Sequence, residues 1–215
     1  MDPGAAQAVL MYFVLPLWLA AGFADYLCHR ASSIQSTSGW RESLLHLLQL
    51  GEMAIPTLMA IFLETNSLII AIMIVCLIAH EATAIWDVSY AYSRREVRPV
   101  EQHVHSFLEM LPLMGLLIIV TLHWGQFLAL IGLGREPAEY MLRLKQPPLP
   151  WIYVGSILSL VVLFEVLPYL EELVRSIRSR KARLSSDETI RTTHAVDVMK
   201  ERIHKDTTKV PAPGI

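Results

Sequence analysis

The chain has 215 residues, 53% of them hydrophobic, and a mean hydropathy of +0.43. Soluble domains are typically about 45–50% apolar, so this composition excludes an ordinary soluble domain, and no pattern indicates nucleic-acid binding. The net charge of −2 conceals an uneven distribution, because the charged residues crowd into the loops and the C-terminal segment. We therefore predict an integral membrane protein with a polar tail.

The apolar runs predict five transmembrane helices, because about 20 mainly apolar residues cross a bilayer core. The first run has no basic residue before it and no cleavage-like site after it, so it is predicted to be a retained helix and not a signal peptide. Residues 123–149 are predicted to be an interfacial loop. The five helices are predicted at about residues 6–28, 41–64, 67–92, 100–122 and 151–167.

The C-terminal segment is predicted to leave the membrane at Pro168, which ends or kinks the fifth helix. Residues 169–184 have helical spacing and many basic residues, so they are predicted to be an amphipathic juxtamembrane helix in contact with membrane lipids. Residues 185–215 are polar and are predicted to be a flexible cytoplasmic tail. The predicted fold class is all-α: a membrane helical bundle whose metal-binding domain covers residues 1–168.

Basic residues indicate the orientation of the bundle, since short loops rich in Lys and Arg stay in the cytoplasm. The loops after the first and third predicted helices and the C-terminal segment carry such residues, whereas the N-terminus and the turn after the second helix carry none. The loop at 123–149 breaks the trend, with Arg135, Arg143 and Lys145. The distribution of basic residues over the other segments predicts that the N-terminus lies outside and the C-terminus lies in the cytoplasm.

Acids and histidines recur near one end of four of the predicted helices. Ionisable groups at membrane depth are costly and usually functional, and mixed histidine and carboxylate ligands from several helices form the di-iron and di-manganese sites of helical bundles. With the predicted orientation, these residues share one layer at the cytoplasmic side. We predict a metal site with the candidate ligands Asp25, His29, His46, Glu52, His80, Asp87, His103, His105 and Glu109.

Helical spacing supports some of these candidates more than others. Asp25 and His29 are four residues apart and share one face of a helix. His103 and His105 point in roughly opposite directions, so both bind the same metal only if their helix begins between them. Glu165, near the same end of the fifth helix, is a candidate partner of the ligands.

The arrangement resembles the histidine-rich iron enzymes of membranes, the fatty-acid desaturases and hydroxylases, which also present ligands at the cytosolic face of a few transmembrane helices. The resemblance covers residues 25–109 in architecture only, because the histidine boxes of those families are absent and acids such as Asp25 and Asp87 replace several histidines. It implies two iron ions, a lipid or other hydrophobic substrate and an electron-donor protein. Residues 24–30 (ADYLCHR) and 80–87 (HEATAIWD) also resemble small bacterial membrane proteins without assigned function, which implies the bacterial inner membrane.

The leading hypothesis from the sequence is a di-iron membrane oxidoreductase that acts on a lipid-like substrate. A zinc-dependent lipid hydrolase is an alternative, since such a site needs three ligands and an open water position, which Asp25, His29, His80 and His105 could supply. A b-type cytochrome is another, with haem bound through His46, His80 or His105. A structural or transport protein would use the same residues as a buried charge network.

Overall fold

The computed structural model of the protein describes residues 2–207. Within this range the chain is helical apart from its loops and contains no β-strand, which confirms the predicted all-α class. Two short π-helical turns, Leu10–Val14 and Val162–Val166, join consecutive helices end to end. The helices are α1 (Pro3–Val9), α2 (Leu15–Ser32), α3 (Trp40–Phe62), α4 (Ser67–Tyr92), α5 (Pro99–Leu122), α6 (Trp124–Leu130), α7 (Trp151–Val161) and α8 (Leu167–Thr207).

Five helical segments are long and apolar enough to cross a membrane, as the sequence predicts. Their outward faces carry large apolar side chains, such as Val75 and Ile78 of α4, which are 65% and 63% exposed. Such faces suit a lipid solvent, so the structure is consistent with an integral membrane protein. The segments are Pro3–Ser32, Trp40–Phe62, Ser67–Tyr92, Pro99–Leu122 and Trp151–Lys200.

The helices pack so that five of them meet at one end of the bundle, where α2 finishes and α3 begins. α3 and α4 are joined by a short turn at residues 63–66, and the side chain of Asn66 accepts a hydrogen bond from the N–H of Ile69 at 3.2 Å, which satisfies a free donor at the start of α4. α2 packs on α5, and α8 packs on α3. This packing brings α2, α3, α4, α5 and α8 together.

The fifth membrane helix does not end at Pro168, so of the two roles predicted for this residue, an end or a kink, the end is not observed. The chain continues from α7 through a π turn into α8, with Pro168 in the first turn of α8. Pro168 has no N–H and cannot donate a hydrogen bond to the preceding turn of the helix. The wider π turn accommodates this missing hydrogen bond. The predicted tail is helical over residues 185–207, and residues 208–215 lie outside the described residues.

The predicted interfacial loop, residues 123–149, folds over the opposite end of the bundle. It includes the short helix α6, and the N–H of Lys145 donates to the carbonyl of Phe62 at 2.9 Å. Leu144 forms an isolated bridge with Leu63. The loop therefore contacts the C-terminal end of α3. This end is separated by about the length of one membrane helix from the end at which the acids and histidines lie.

Candidate metal centre

One buried carboxylate holds two histidines from different helices. Oε2 of Glu172, on α8, lies 3.1 Å from Nδ1 of His29 on α2, and Oε1 lies 2.8 Å from Nδ1 of His46 on α3. Because a carboxylate only accepts hydrogen bonds, both Nδ1–H groups donate to Glu172, and each Nε2 carries a free lone pair when its imidazole is neutral, the form that binds a metal. The two rings stack with their centroids 4.2 Å apart and their planes 9° apart. The two Nε2 atoms are therefore presented side by side.

The His29 side of this pair faces Asp25 and His105. Nε2 of His29 lies 3.3 Å from Oδ2 of Asp25 and 3.6 Å from Oε1 of Glu101. Nε2 of His105, on α5, lies 2.9 Å from Oδ1 of the same Asp25. The hydroxyl proton of Tyr169 is shared between Oδ2 of Asp25 at 3.3 Å and the carbonyl of Gly22 at 3.0 Å. Ligand atoms from Asp25, His29 and His105 all lie within 4.8 Å of one another. They are close enough to share one metal ion.

The His46 side faces Asp87. Nε2 of His46 lies 3.2 Å from Oδ2 of Asp87 on α4, and the side-chain amide of Gln49 donates to the same oxygen at 3.2 Å. Oδ1 of Asp87 is buried and has no hydrogen-bond partner among the described residues. Each stacked histidine thus has a carboxylate of its own in front of Nε2.

Several buried polar atoms here lack the hydrogen bonds that buried groups normally make. In the described part of the chain, Nε2 of His29, His46 and His105 have no hydrogen-bond partner, although each lies 2.9 to 3.3 Å from a carboxylate oxygen. Imidazole nitrogens that converge on carboxylates with free lone pairs fit a metal ion. A carboxylate on the far ring nitrogen is the usual outer partner of a metal-bound histidine, and Glu172 occupies that position.

Arg95 neutralises two carboxylates at the edge of the cluster. Its Nη2 donates to Oε1 of Glu42 at 2.6 Å, and both terminal nitrogens donate to Glu101. Burial alone would lower the pKa of Arg95, but the hydrogen bonds to Glu101 and Glu42 hold it above its usual value. A ligand atom of Glu42 lies within 4.8 Å of ligand atoms of His29 and His46. Because Glu42 is committed to Arg95, however, Asp25 and Asp87 are the acids better placed to bind a metal.

Two predicted ligands, His80 and Glu52, form a separate polar group beside the cluster. Nδ1 of His80 lies 3.9 Å from Oε2 of Glu52, and the hydroxyl of Thr83 donates to Oε1 of Glu52 at 2.8 Å. Neither ring nitrogen of His80 has a hydrogen-bond partner among residues 2–207. His80 is buried and lines the same cavity as His46, so it can act on a ligand in that cavity.

Two further predicted ligands, His103 and Glu109, are not brought into the cluster. His103 is exposed, and its ring packs edge-on against Phe107. α5 already begins at Pro99, so His103 and His105 are both helical and face different sides, as their spacing predicts. Glu109 is half-buried and borders the cavity without joining the histidines.

A narrow cavity of about 110 Å³ reaches the cluster from within the bundle. Asp25, His46, Asp87 and His105 contribute to its wall, and most of the remaining wall is apolar. Glu165, from the π turn before α8, also lines it, is buried, and has one carboxylate oxygen without a partner in the described range. The potential ligands therefore border a space that suits a hydrophobic molecule.

The ligand set predicted from the sequence does not include Glu172. This residue belongs to a stripe of α8 and the preceding π turn at spacings of four, three and four residues: Glu165, Tyr169, Glu172 and Ser176, all buried. Most of the outward positions between them are apolar, as at Leu170 and Val174, although Glu171 is also exposed. This polar stripe was the available signal, since it places the polar face of the helix inside the bundle.

Comparison of the chain with protein-family models, with curated proteins and with solved structures found no match. The resemblance to membrane iron enzymes stays a prediction, and the chemistry of the site has to be argued from its own geometry.

Proposed function

We propose that the protein is a membrane oxidoreductase in which two iron ions act on a lipid-like, hydrophobic substrate. The observation that carries the proposal is the position of Glu172, whose two oxygens take the Nδ1 atoms of His29 and His46. Both Nε2 atoms are left free, and each faces a different carboxylate. Two parallel ligand nitrogens with separate carboxylates suit two metal ions better than one.

The ligands divide into two sets. Asp25, His29 and His105 would hold one ion, and His46 and Asp87 would hold the other. Imidazole and carboxylate ligands drawn from several helices suit iron, and iron, when bound, would supply the oxidation chemistry. The two-ion arrangement would also offset the negative charge of Asp25, Asp87 and Glu172 in a buried layer.

The other groups of the chain would hold these ligands and exclude water. Glu172 fixes both stacked rings, and Tyr169 fixes the carboxylate of Asp25. Arg95, bound to Glu42 and Glu101, closes the cluster beside the loop between α4 and α5. The narrow, mostly apolar cavity supports a hydrocarbon substrate, because ligand sites are typically apolar with a few placed polar groups.

The proposed location is the bacterial inner membrane, with the N-terminus outside and the metal centre near the cytoplasmic leaflet. The charge bias of the loops supports this orientation, and a C-terminal reporter that is active only in the cytoplasm would test it. We also propose that the basic part of α8 contacts anionic lipids or an electron-donor protein. That part carries Arg175, Arg178, Arg180, Lys181 and Arg183.

Elemental analysis of natively expressed, detergent-purified protein tests the metal centre. We expect about two irons per chain in the unaltered protein, as in the di-iron sites of other helical bundles. We expect a marked loss in His29→Ala, which removes a ligand, and no loss in His103→Ala, because His103 is exposed and outside the cluster. Equal iron in all three proteins, or no metal in any, would contradict the proposal.

A zinc-dependent lipid hydrolase is the second candidate, and the group of Asp25, His29 and His105 favours it. Three protein ligands with a position left for water are the usual composition of a catalytic zinc site. One zinc per chain, together with lipid hydrolysis in the absence of oxygen and reductant, would select this function. Lipid-dependent oxygen consumption that requires a reductant would select the oxidoreductase.

A further inference from the structure

A second and larger cavity adjoins the narrow one beside the metal centre. Its volume is about 840 Å³, and it lies between the N-terminal helix, α3, α5 and residues 145–150. The two cavities share the lining residues Leu15, Trp18, Met53 and Thr57. The two cavities are therefore neighbours that extend in succession from the metal centre toward the opposite end of the bundle, and we refer to the pair as the path.

The two ends of this path differ in chemistry. At the metal end, the groups beyond the cluster are tightly packed, since Glu42 and Glu101 are 1% exposed and Glu172 is 0% exposed. At the other end, the wall of the larger cavity includes polar side chains near the loop that folds over the bundle, namely Gln7, Glu64, His123 and Lys145. A polar group of a ligand therefore has partners at the far end of the path, whereas the buried residues beyond the acids and histidines leave no room for one.

The length of the path suits a long hydrocarbon chain. Gln7 and Asp25 lie on one continuous helix and are separated by 18 residues, which corresponds to about 27 Å at 1.5 Å per residue. That distance approaches the roughly 30 Å thickness of a bilayer core. The narrow section near Asp25 holds only about 110 Å³, which leaves room for one alkyl chain and not for the paired chains of a diacyl lipid.

We propose that the path binds a single-chain lipid whose tail points toward the metal centre. The small polar head then lies among Gln7, Glu64 and Lys145. The carbons farthest from the head lie beside Asp25 and His105. The chemical consequence of this orientation rests on the proposed function: the carbons that react are those far from the head. The binding orientation itself is independent of turnover and is measurable without it.

Photo-crosslinking measures the orientation directly. The probes are two derivatives of docosanoic acid, a fatty acid whose extended chain is about as long as the path, one with a diazirine at the methyl end and one with a diazirine next to the carboxylate, each competed with unlabelled docosanoic acid. We expect the methyl-end probe to label residues around Asp25 and His105, and the carboxylate-end probe to label residues around Gln7 and Lys145. The reverse pattern, or labelling that unlabelled docosanoic acid does not compete, would overturn the inference.

Two matched glycine variants test the larger cavity. Gly115 lines it, and a Cβ there would meet only Leu10 at 3.6 Å, so Gly115→Leu would fill the cavity. Gly155 lies on the exposed face of α7 with no other described atom within 4 Å of an added Cβ. We expect Gly115→Leu to reduce competed labelling about tenfold, the scale of an overpacked site, and Gly155→Leu to leave it unchanged. Equal labelling in the two variants would overturn the inference.

Iron content measured in the same preparations separates the two proposals. Oriented labelling of protein that contains no metal would support the lipid path and reject the oxidoreductase. Two irons per chain without competed labelling would support the metal centre and reject the lipid path. The control for folding is elution of each variant at the same volume as the unaltered protein in size-exclusion chromatography.

Discussion

Glu172 is the residue on which the geometry of both stacked histidines depends. Its carboxylate accepts from Nδ1 of His29 and of His46, and the side chain is fully buried. A glutamine in its place would keep the shape but offer one accepting oxygen and one donating amide. One of the two histidines would then lose the acceptor that keeps its proton on Nδ1 and its lone pair on Nε2.

We therefore expect Glu172→Gln to weaken metal binding by about 10- to 100-fold, the usual effect of changing an outer partner of a ligand. The measurement is a titration with a chelator of known affinity in competition with the protein. Glu171→Gln is the matched control, because Glu171 is the exposed neighbour on the same helix and pairs with Arg30 and Arg175. Equal metal affinity of the two variants would contradict the role assigned to Glu172.

Arg95 offers a test of stability at the scale of one side chain. Its guanidinium is 4% exposed and bonds to Glu42 and Glu101, which are buried themselves. Removing one partner of a buried ion pair typically costs about 3–5 kcal/mol, because the remaining charge is left uncompensated. We expect Arg95→Gln to lower the thermal unfolding temperature in detergent, and Arg94→Gln, at an exposed neighbouring position, to leave it almost unchanged. Similar unfolding temperatures for both variants would contradict a stabilising role for the contacts of Arg95 with Glu42 and Glu101.

At the level of helices, the contact between α2 and the π turn before α8 positions Glu165. Gly22 has no side chain, and a Cβ there would clash with the carboxylate of Glu165. The π turn directs Glu165 against Gly22, and single π turns in membrane-length helices often mark functional sites. A glycine at position 22 is therefore required for Glu165 to occupy its place at the cavity wall.

We expect Gly22→Ala to destabilise the protein by about 1–3 kcal/mol, the range found for overpacked interiors. Most of that loss should disappear when Glu165→Ala is combined with it, because the clash then has no partner. A double-mutant cycle on thermal unfolding measures this coupling. Gly51→Ala is the control, since no other described atom lies within 4 Å of an added Cβ there. Additive effects of Gly22→Ala and Glu165→Ala would refute the contact.

The central helices were predictable from the sequence because turn residues bound their apolar runs. The predicted helix at 67–92 matches α4, Ser67–Tyr92, and the prediction at 100–122 differs from α5, Pro99–Leu122, by one residue. α8 was not predictable in the same way, because Pro168 was predicted to end or kink the fifth helix, and residues 169–184 were predicted to be a separate helix on the membrane surface. The helix continues because a π turn precedes the proline, and this π turn depends on packing against α2.

The candidate site was only partly predictable for the same reason. Asp25 and His29 share a helix face, so their contact follows from local spacing. The contact between His46 and Asp87 joins α3 and α4, and only the packing of the bundle fixes its register. Glu172 was missed because a segment rich in basic residues was expected to lie on the membrane surface. Its inward-facing polar stripe follows from the docking of α8 on α3.

On the scale of the whole molecule, the cluster places several acids in one buried layer formed by five helices. Asp25, Asp87 and Glu172 are almost fully buried, and a buried carboxylate is costly unless cations and hydrogen bonds compensate its charge. Bound metal should therefore contribute to the stability of the bundle as well as to its chemistry. Ligands that bind only the folded state stabilise it by about 2.7 kcal/mol at 100 times their dissociation constant.

We expect a chelator to lower the thermal unfolding temperature of the natively expressed protein, and added ferrous iron to restore it. Asp87→Asn should behave in the opposite way: it removes a ligand and a buried charge, so its unfolding temperature should exceed that of the metal-free unaltered protein and respond little to iron. The opposite signs arise because Asp87 without a metal is a buried carboxylate whose Oδ1 has no hydrogen-bond partner among the described residues, and burying such an uncompensated oxygen is costly. If the chelator leaves the unfolding temperature of the unaltered protein unchanged, and Asp87→Asn is simply less stable, the acids and histidines form a structural polar network and not a metal centre.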